Sequence, residues 1–341
     1  MAEDPLAHWR AGAFAQEQTE GQTMGRYAAS RIVQAIPTLF IVTMMVFGLI
    51  RLAPGDPAAM RMGREAAKPE NLPKLEALRE EMGLTKPIPV QYLLWLQDLA
   101  RGEFGDSLKN KRPTVDLFVQ KLPATLELVL GATLFAILLA FPLGTLAAVK
   151  RGSLIDRAAM GFVSAGLAVP GFWLGLTLIL VFSVRWNWLP ASGYVPFTED
   201  PVENVKRLIM PSITLGTYLA ATLMRFLRSD MIEVLAADYV RTARAKGLRE
   251  RTVLMRHAMK NALIPVLTIA GLEIGALLGG AVIIEQVFGW SGIGWLTVQA
   301  VFDRDYPLVQ TSVLFVTAGL ILVNLLTDLC YGLMNPRMRV A

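Results

Sequence analysis

Side chains that commonly carry out chemistry are scarce in this sequence. It has one cysteine, Cys330, and two histidines, His8 and His257, and no cluster of these has the spacing of metal ligands. Cys330 lies inside an apolar segment, where an inert helix residue is the simplest interpretation. No Gly-x-x-x-x-Gly-Lys-Ser/Thr loop occurs, nor any Gly-Lys pair, so the chain lacks the backbone cradle for ATP phosphates. We therefore expect no catalytic residue, no metal and no cofactor bound by this chain.

One acid, Glu273, stands inside a long apolar segment. An ionisable residue in such a position points to a functional site, although pairing with a polar group on another helix would explain it equally well. Gly271, Gly275 and Gly279 recur around it at four-residue spacing and would let a neighbouring helix approach closely. We interpret these four residues as candidates for helix packing or for lining a pathway, with packing favoured for the glycines.

The elements that must position these residues are membrane helices. Of the 341 residues, 54% are hydrophobic and 18% are charged, against about 25% charged in an average soluble protein. An apolar run of about 20 residues crosses a bilayer, and in lipid a continuous run of this kind must be helical. The sequence thus predicts an all-α integral membrane protein with six transmembrane helices. These lie at about 31–52, 124–149, 158–184, 209–227, 263–284 and 309–332.

The distribution of Lys and Arg predicts the orientation. The formal net charge is +5, but the basic residues cluster in loops beside apolar segments, which does not favour nucleic acid. They are concentrated on the side that holds both termini, which is therefore expected to be cytoplasmic. The predicted organisation is a disordered cytoplasmic tail (1–25), a first transmembrane helix (26–52), a large extracytoplasmic loop (53–123), a transmembrane core (124–335) and a cytoplasmic C-terminus (336–341).

The cytoplasmic loop 228–262, with eight Lys and Arg residues, carries the strongest local pattern. Ser229 or Asp230 could begin a helix that ends at Gly247, with Met231, Leu235, Tyr239 and Ala243 forming one apolar stripe. From this pattern alone, a helix lying on anionic lipid and a helix that docks another protein are about equally supported.

Several segments resemble the permeases of ABC importers, and more narrowly the B-type permease of dipeptide and oligopeptide importers. The central one is DYVRTARAKGL (238–248), followed by RHA (256–258) and NALIP (261–265). The others are APGDP (53–57), GLTKPIPVQY (83–92), LPATLEL (122–128), AVKRG (148–152), EQVFGWSGIG (285–294), RDYP (304–307) and NPR (335–337). The general pattern has Glu-Ala-Ala six residues before its glycine, whereas this sequence has Arg-Thr-Ala, as peptide-type members commonly do.

The resemblance implies a type I ABC importer permease fold and a role in peptide import at the bacterial inner membrane. The implied partners are two cytoplasmic ATPase subunits that hold ATP and Mg, a second homologous permease and an extracytoplasmic peptide-binding protein. Membrane lipid is a further partner. The resemblance also implies which residues couple this chain to the ATPases, namely Ala236, Asp238, Tyr239, Arg241, Thr242, Ala243, Ala245, Lys246 and Gly247. By analogy, the bend expected at 285–294 supplies an outer gate formed by Glu285, Phe288, Trp290 and Gly292.

Four alternatives remain at this point. A passive channel is possible on topology alone, but it leaves the ordered cytoplasmic loop unexplained. A proton-coupled secondary transporter would require internal repeats and membrane acids arranged as a relay, and neither is evident. A membrane-embedded enzyme would require a paired nucleophile and base or a metal cluster. An ABC permease for another cargo, such as a nickel chelate or glutathione, would share the same signature.

Overall fold

The computed structural model describes residues 24–52 and 55–334, and it describes side chains outside 24–32, 49–50, 64 and 328–334. Most of the predicted tail (1–25) and the predicted C-terminus (336–341) lie outside the described residues. Within them the chain is helical, without a strand, apart from one isolated bridge between Asp106 and Pro113.

The helices are numbered here in chain order. They are α1 (Met24–Leu52), α2 (Pro57–Met62), α3 (Leu72–Glu81), α4 (Ile88–Ala100), α5 (Thr114–Val149), α6 (Leu154–Ala168), α7 (Gly171–Leu178, continued by a π-helical turn Ile179–Arg185), α8 (Pro201–Ala236), α9 (Asp238–Ala245), α10 (Glu250–Phe288, with a π-helical turn Val253–Ala258), α11 (Ile293–Phe302) and α12 (Tyr306–Met334).

Three of these helices, α5, α10 and α12, are long and apolar enough to span a membrane, and the pair α6 and α7 adds a fourth span if it is counted as one. In the described part of α1, only the shorter stretch Val33–Gly48 is apolar. The all-α membrane fold is thus confirmed, whereas the count of six spans stays a prediction.

The predicted third span, 158–184, is not one straight helix. α6 and α7 meet at an angle of 105°, because Pro170 offers no N–H to the α6 ladder and favours extended backbone at the residue before it. Val169 accordingly has φ −79° and ψ 123°. The two apolar helices on either side of this break therefore run in different directions.

The core forms where α5 packs along α8. Small residues recur every fourth position on α5, at Ala132, Ala136, Ala140, Gly144 and Ala148, and all are buried. Such a ridge lets the two backbones approach closely, as is typical of membrane helix pairs. The approach is tightest at Gly216 of α8, where an added Cβ would lie 2.5 Å from the Ala132 carbonyl oxygen.

The predicted extracytoplasmic loop 53–123 is largely helical, and α5 begins at Thr114, ten residues before the predicted core. Its apolar helix, α4, packs on α1 through aromatic contacts of Tyr92 and Trp95 with Phe47, at ring centroid distances of 5.4 and 5.6 Å. The hydroxyls of Thr43 and Tyr92 also share a hydrogen bond of 2.9 Å. Packing against α1 therefore accounts for Tyr92 and Trp95, whereas Ile88, Val90 and Leu93 of the same helix stay exposed.

The end of the same loop is fixed to the turn before α12. The buried Asp305 carboxylate accepts hydrogen bonds from the Ser107 hydroxyl and from the Leu108 N–H, the latter at 3.0 Å. Lys109 pairs with Asp303 at 2.6 Å. A carboxylate that collects several donors holds its partners in one orientation, so segment 107–109 and the start of α12 form one unit.

Candidate functional site

The segment with the strongest sequence signal, 236–247, is a short helix set off from α8. The chain leaves the helical conformation at Ala237, with φ −68° and ψ 148°, and α9 begins at Asp238. Asp238 in the first turn and Arg244 in the last turn suit the helix dipole. Gly247 follows with φ +74°, a left-handed conformation that glycine adopts without steric cost. The glycine directs the chain back towards α10.

The predicted start of this helix at Ser229 or Asp230 is wrong, because α8 continues through both residues to Ala236. The prediction of a single apolar stripe is wrong as well. The break at Ala237 rotates the two parts of the stripe relative to each other, so Met231 is buried in the core and Tyr239 is 43% exposed.

The buried side of α9 is formed by Val240 and Ala243, which pack with Val253 of α10. Across the turn, Arg244 binds Glu250 through two hydrogen bonds of 2.7 and 3.2 Å. The Asn261 side-chain amide donates to the Tyr239 hydroxyl at 2.8 Å. These contacts fix the segment to the start of α10.

The predicted coupling residues separate into two groups. Ala243 is buried and helps to anchor α9. The other eight are exposed, namely Ala236, Asp238, Tyr239, Arg241, Thr242, Ala245, Lys246 and Gly247.

An ion pair that the sequence did not reveal lies about two turns of α8 before this segment. The Asp156 carboxylate, on α6, is 5% exposed and accepts two hydrogen bonds from the Arg228 guanidinium of α8, at 2.5 and 2.9 Å. It also accepts the Gly152 N–H at 2.8 Å. Ser153 caps α6 ahead of it. The sequence shows Ser153 as a possible cap of α6, but it does not show that Asp156 binds Arg228, 72 residues further along the chain.

The predicted glycine strip divides between two environments. An added Cβ at Gly271 would collide with Thr327 of α12, and one at Gly275 would lie 3.4 Å from Asn324. These two glycines therefore allow close packing of α10 on α12. At Gly279 an added Cβ would meet nothing within 4 Å. This glycine lines an apolar cavity of about 750 Å³ between α5, α10, α11 and α12.

Glu273 points away from that packing face. It lines a second cavity, of about 310 Å³, between α7, α8 and α10. The same cavity is lined by Tyr218, which is half exposed, and by Gly171 and Gly280. The glycines and the acid, which the sequence placed in one group, thus face different neighbours.

Glu285 is fully buried and holds α11 in place. Its Oε1 accepts the Thr125 hydroxyl at 2.6 Å, and its Oε2 accepts the Trp295 N–H at 2.7 Å. The Gly294 N–H donates to the carboxylate as well. Helix N-termini present unpaired N–H groups, and Gly292 has no side chain to cap them. Glu285 supplies that cap from the preceding helix.

The bend expected at 285–294 is present, since α10 ends at Phe288 and α11 begins at Ile293. The four gate candidates, Glu285, Phe288, Trp290 and Gly292, are all buried in this conformation. The Trp290 indole N–H donates to the Ala124 carbonyl at 2.7 Å.

Tyr194, in the connection before α8, covers the Trp290 ring at a centroid distance of 4.8 Å. Burial and the neighbouring carboxylate of Glu127 raise the pKa of Tyr194 to about 12. The hydroxyl therefore stays protonated and donates to Glu127 at 3.2 Å. Among the described residues, no group of three or more His, Cys, Asp or Glu side chains could hold a metal ion.

Two family models match the sequence. Residues 140–340 match the inner membrane component of binding-protein-dependent transport systems, and residues 24–129 match the N-terminal part of such membrane components. The boundary between them lies inside α5, and together they include both the outer loop and the segment 236–247.

Characterised relatives extend over most of the chain. It is 41% identical over 339 residues to the dipeptide transport system permease protein DppB of Escherichia coli K12, covering 93% of this chain and 99% of that protein. It is 44% identical to the di/tripeptide transport system permease protein DppB of Pseudomonas aeruginosa, covering 92% and 98%. The glutathione transport system permease protein GsiC of Pectobacterium atrosepticum is 40% identical, covering 93% and 99%. The chain therefore belongs to the family of inner membrane permeases of binding-protein-dependent ABC importers, in its dipeptide and oligopeptide branch.

Proposed function

We propose that this chain is one of two permease subunits of an ATP-driven importer that carries dipeptides and longer peptides across the bacterial inner membrane. The main observation in support is the segment 236–247. Its exposed side chains stand on a helix that buried Val240 and Ala243 fix against α10. A fixed, exposed surface of this kind suits docking of a protein subunit, whereas a lipid-facing helix would present a continuous apolar stripe.

The proposed partners are two cytoplasmic ATPase subunits, a second homologous permease and an extracytoplasmic peptide-binding protein. ATP and Mg are held by the ATPases, and this chain binds neither. The family description, which names binding-protein-dependent transport, supports the general composition. The number of each subunit is part of the proposal.

The proposed coupling follows from the connections of the segment. It lies between α8 and α10, two long helices whose faces pack in the core. When the ATPase pair closes, a force on Tyr239 and its neighbours moves both helices together. The Asp156–Arg228 pair extends the movement to α6, because it joins α6 to α8 close to the segment. The helices then alternate between inward-facing and outward-facing arrangements.

The proposed orientation places both termini and the segment 236–247 in the cytoplasm. The exposed cations of the segment, Arg241, Arg244 and Lys246, agree with the enrichment of positive charge on that side. The loop 53–123 and the bend at 285–294 would then face outward.

The proposed cargo is peptide. The relatives named above transport dipeptides, di/tripeptides or glutathione, which is itself a small peptide. Glutathione is thus the second candidate, supported by the 40% identity to that permease.

The test uses the complete importer in proteoliposomes, with the double variant Tyr239→Ala plus Gly247→Pro. Proline fixes φ near −65° and lacks the N–H that Gly247 donates to Arg244 at 2.9 Å, so the segment cannot keep its shape. We expect ATP hydrolysis stimulated by peptide-loaded binding protein to fall at least about tenfold, as for loss of an interface hot spot, while the complex stays assembled.

The control is Leu154→Ala, which removes an exposed apolar side chain at the same end of the core without touching the segment. It should leave stimulation unchanged. Unchanged stimulation in the double variant would mean that 236–247 is only a surface helix, and would refute the coupling mechanism.

A further inference from the structure

The cavity of about 310 Å³ between α7, α8 and α10 contains a charged group that packing does not explain. Of the described side chains that line it, Glu273 alone is charged. Within the part of the chain that the structure describes, its carboxylate forms no hydrogen bond and no ion pair. An acid at membrane depth is costly and normally has a partner. Arg225 acts on it electrostatically but does not form an ion pair with it, so a close partner is expected from outside this set of residues.

The cavity has the size and composition of a small-ligand site. Ligand pockets begin at about 300 Å³ and combine apolar walls with a few polar groups. Here Phe172, Leu215 and Ile284 supply apolar surface, and Tyr218 and Glu273 supply the polar groups. The Thr214 hydroxyl donates to the Met210 carbonyl at 2.8 Å, so its oxygen can only accept a further hydrogen bond.

Two glycines keep this cavity open. A Cβ at Gly280 would come within 3.6 Å of Leu215, and one at Gly171 would come within 3.8 Å of Ile284. Both distances are ordinary van der Waals contacts, so alanine would fit at either position without a clash. Any larger side chain would fill part of the cavity. The open volume thus depends on residue choice at both positions.

The charge arrangement favours a small dipolar ligand. A carboxylate beside an aromatic ring is a good environment for an ammonium group, through the ion pair and through the ring face. Arg225, which is exposed and acts electrostatically on Glu273, lies seven residues beyond Tyr218 on α8. Seven residues bring it to the same helix face about 10 Å further along. Tyr218 and Arg225 therefore share one face of α8, and Glu273 approaches this face from α10.

We infer that this cavity is a transient subsite on the translocation pathway, where Glu273 pairs with the free amino terminus of the passing peptide and Tyr218 contacts the same group. The inference rests on the proposed function. It explains why an acid that forms no hydrogen bond or close ion pair with the described residues is placed beside an open cavity. A free amino terminus is the one cationic group that peptides of any sequence share.

Photolabelling of the purified permease–ATPase complex tests the subsite directly. Phe172, a half-exposed lining residue, is replaced by the photoreactive residue benzoylphenylalanine, which leaves Glu273 in place. The probes are a radiolabelled dipeptide with a free amino terminus and its N-acetylated form, both at millimolar concentration. No binding protein is present, so its own selectivity does not enter.

We expect the free-amine dipeptide to label the complex about tenfold more than the acetylated one, the effect of one charged hydrogen-bonded contact. Glu273→Gln should abolish this preference, and Glu273→Asp should retain it. Leu272→Gln, which places an amide one residue away and outside the cavity, should leave the preference intact.

Equal labelling by both dipeptides in the native background would overturn the inference, as would a preference that survives Glu273→Gln. Crosslinks that form only to the second permease would also overturn it, because the cavity would then be a subunit interface. Failure of the proposed function would look different, since the unmodified importer would then show no peptide uptake in proteoliposomes.

Discussion

Asp156 and Glu285 are buried carboxylates near opposite ends of α5, and each joins segments that are far apart in sequence. Asp156 binds Arg228 at the end where α6 begins. Glu285 binds Thr125 and the start of α11 at the other end. A buried carboxylate is tolerated only when donors satisfy it. Both therefore fix the local geometry tightly, next to the proposed coupling segment and the proposed gate.

At the residue scale, Asp156→Ala should destabilise the permease by about 2 kcal/mol, because the Arg228 guanidinium, 22% exposed, would lose two charged hydrogen bonds. The double variant Asp156→Leu plus Arg228→Met should recover part of this loss. Thermal unfolding of the purified complex measures both.

The matched control is the exposed pair Arg244–Glu250, where Glu250→Ala should cost no more than about 1 kcal/mol. If Asp156→Ala unfolds at the temperature of the control, the buried pair does not stabilise the fold. If the double variant is stable but transports fewer peptides per ATP, the pair also positions the coupling segment.

At the scale of elements, the contact between α5 and α8 depends on small side chains. The ridge at every fourth residue of α5 faces Gly216 and Met224 of α8. Helices in lipid gain little from apolar burial against each other and rely on close van der Waals contact. Any added volume at the closest point must therefore separate the two helices.

Gly216→Val should lower the stability of the permease by about 2 kcal/mol, because its Cβ would lie 2.5 Å from the Ala132 carbonyl oxygen. Gly161→Val is the control, since an added Cβ there meets nothing within 4 Å. Thermal unfolding midpoints of the two variants compare them. Equal midpoints would show that α5 and α8 can separate without cost.

At the scale of the whole molecule, two contacts join the N-terminal region to the core. α1 packs on α12, and Asp305 binds the segment 107–109. The outer loop is thereby fixed to the start of α12. In the proposed orientation, this loop faces the binding protein and the segment 236–247 faces the ATPases.

Single cysteines introduced after Cys330→Ser test this orientation, because Cys330 is the only cysteine in the sequence. In right-side-out vesicles, a membrane-impermeant maleimide should label Lys74→Cys in the outer loop and spare Ala245→Cys in α9. Inverted vesicles should give the opposite pattern. Both positions are exposed, so access to the side chain does not limit labelling. Labelling of Ala245→Cys from outside would refute the orientation.

Features that depend on near neighbours in sequence were predictable. The apolar runs indicated an all-α membrane protein, because their length alone decides whether a helix can cross lipid. The left-handed conformation of Gly247 was predictable for a similar reason, because a helix end depends mainly on the conformation of the residue that follows it. The motif around 238–248, together with the other matching segments, was sufficient to predict the permease family, which the relatives confirm.

Only the tertiary structure decided how distant residues pair. The break at Ala237 turned Tyr239 away from the buried side that the four-residue periodicity predicted. The pairing of Arg228 with Asp156 depends on how α6 packs against α8. The residues next to Asp156 in the sequence carry no information about this packing. The same packing placed Gly271 against α12 and left Glu273 beside an open cavity, since residues two positions apart face different sides of a helix.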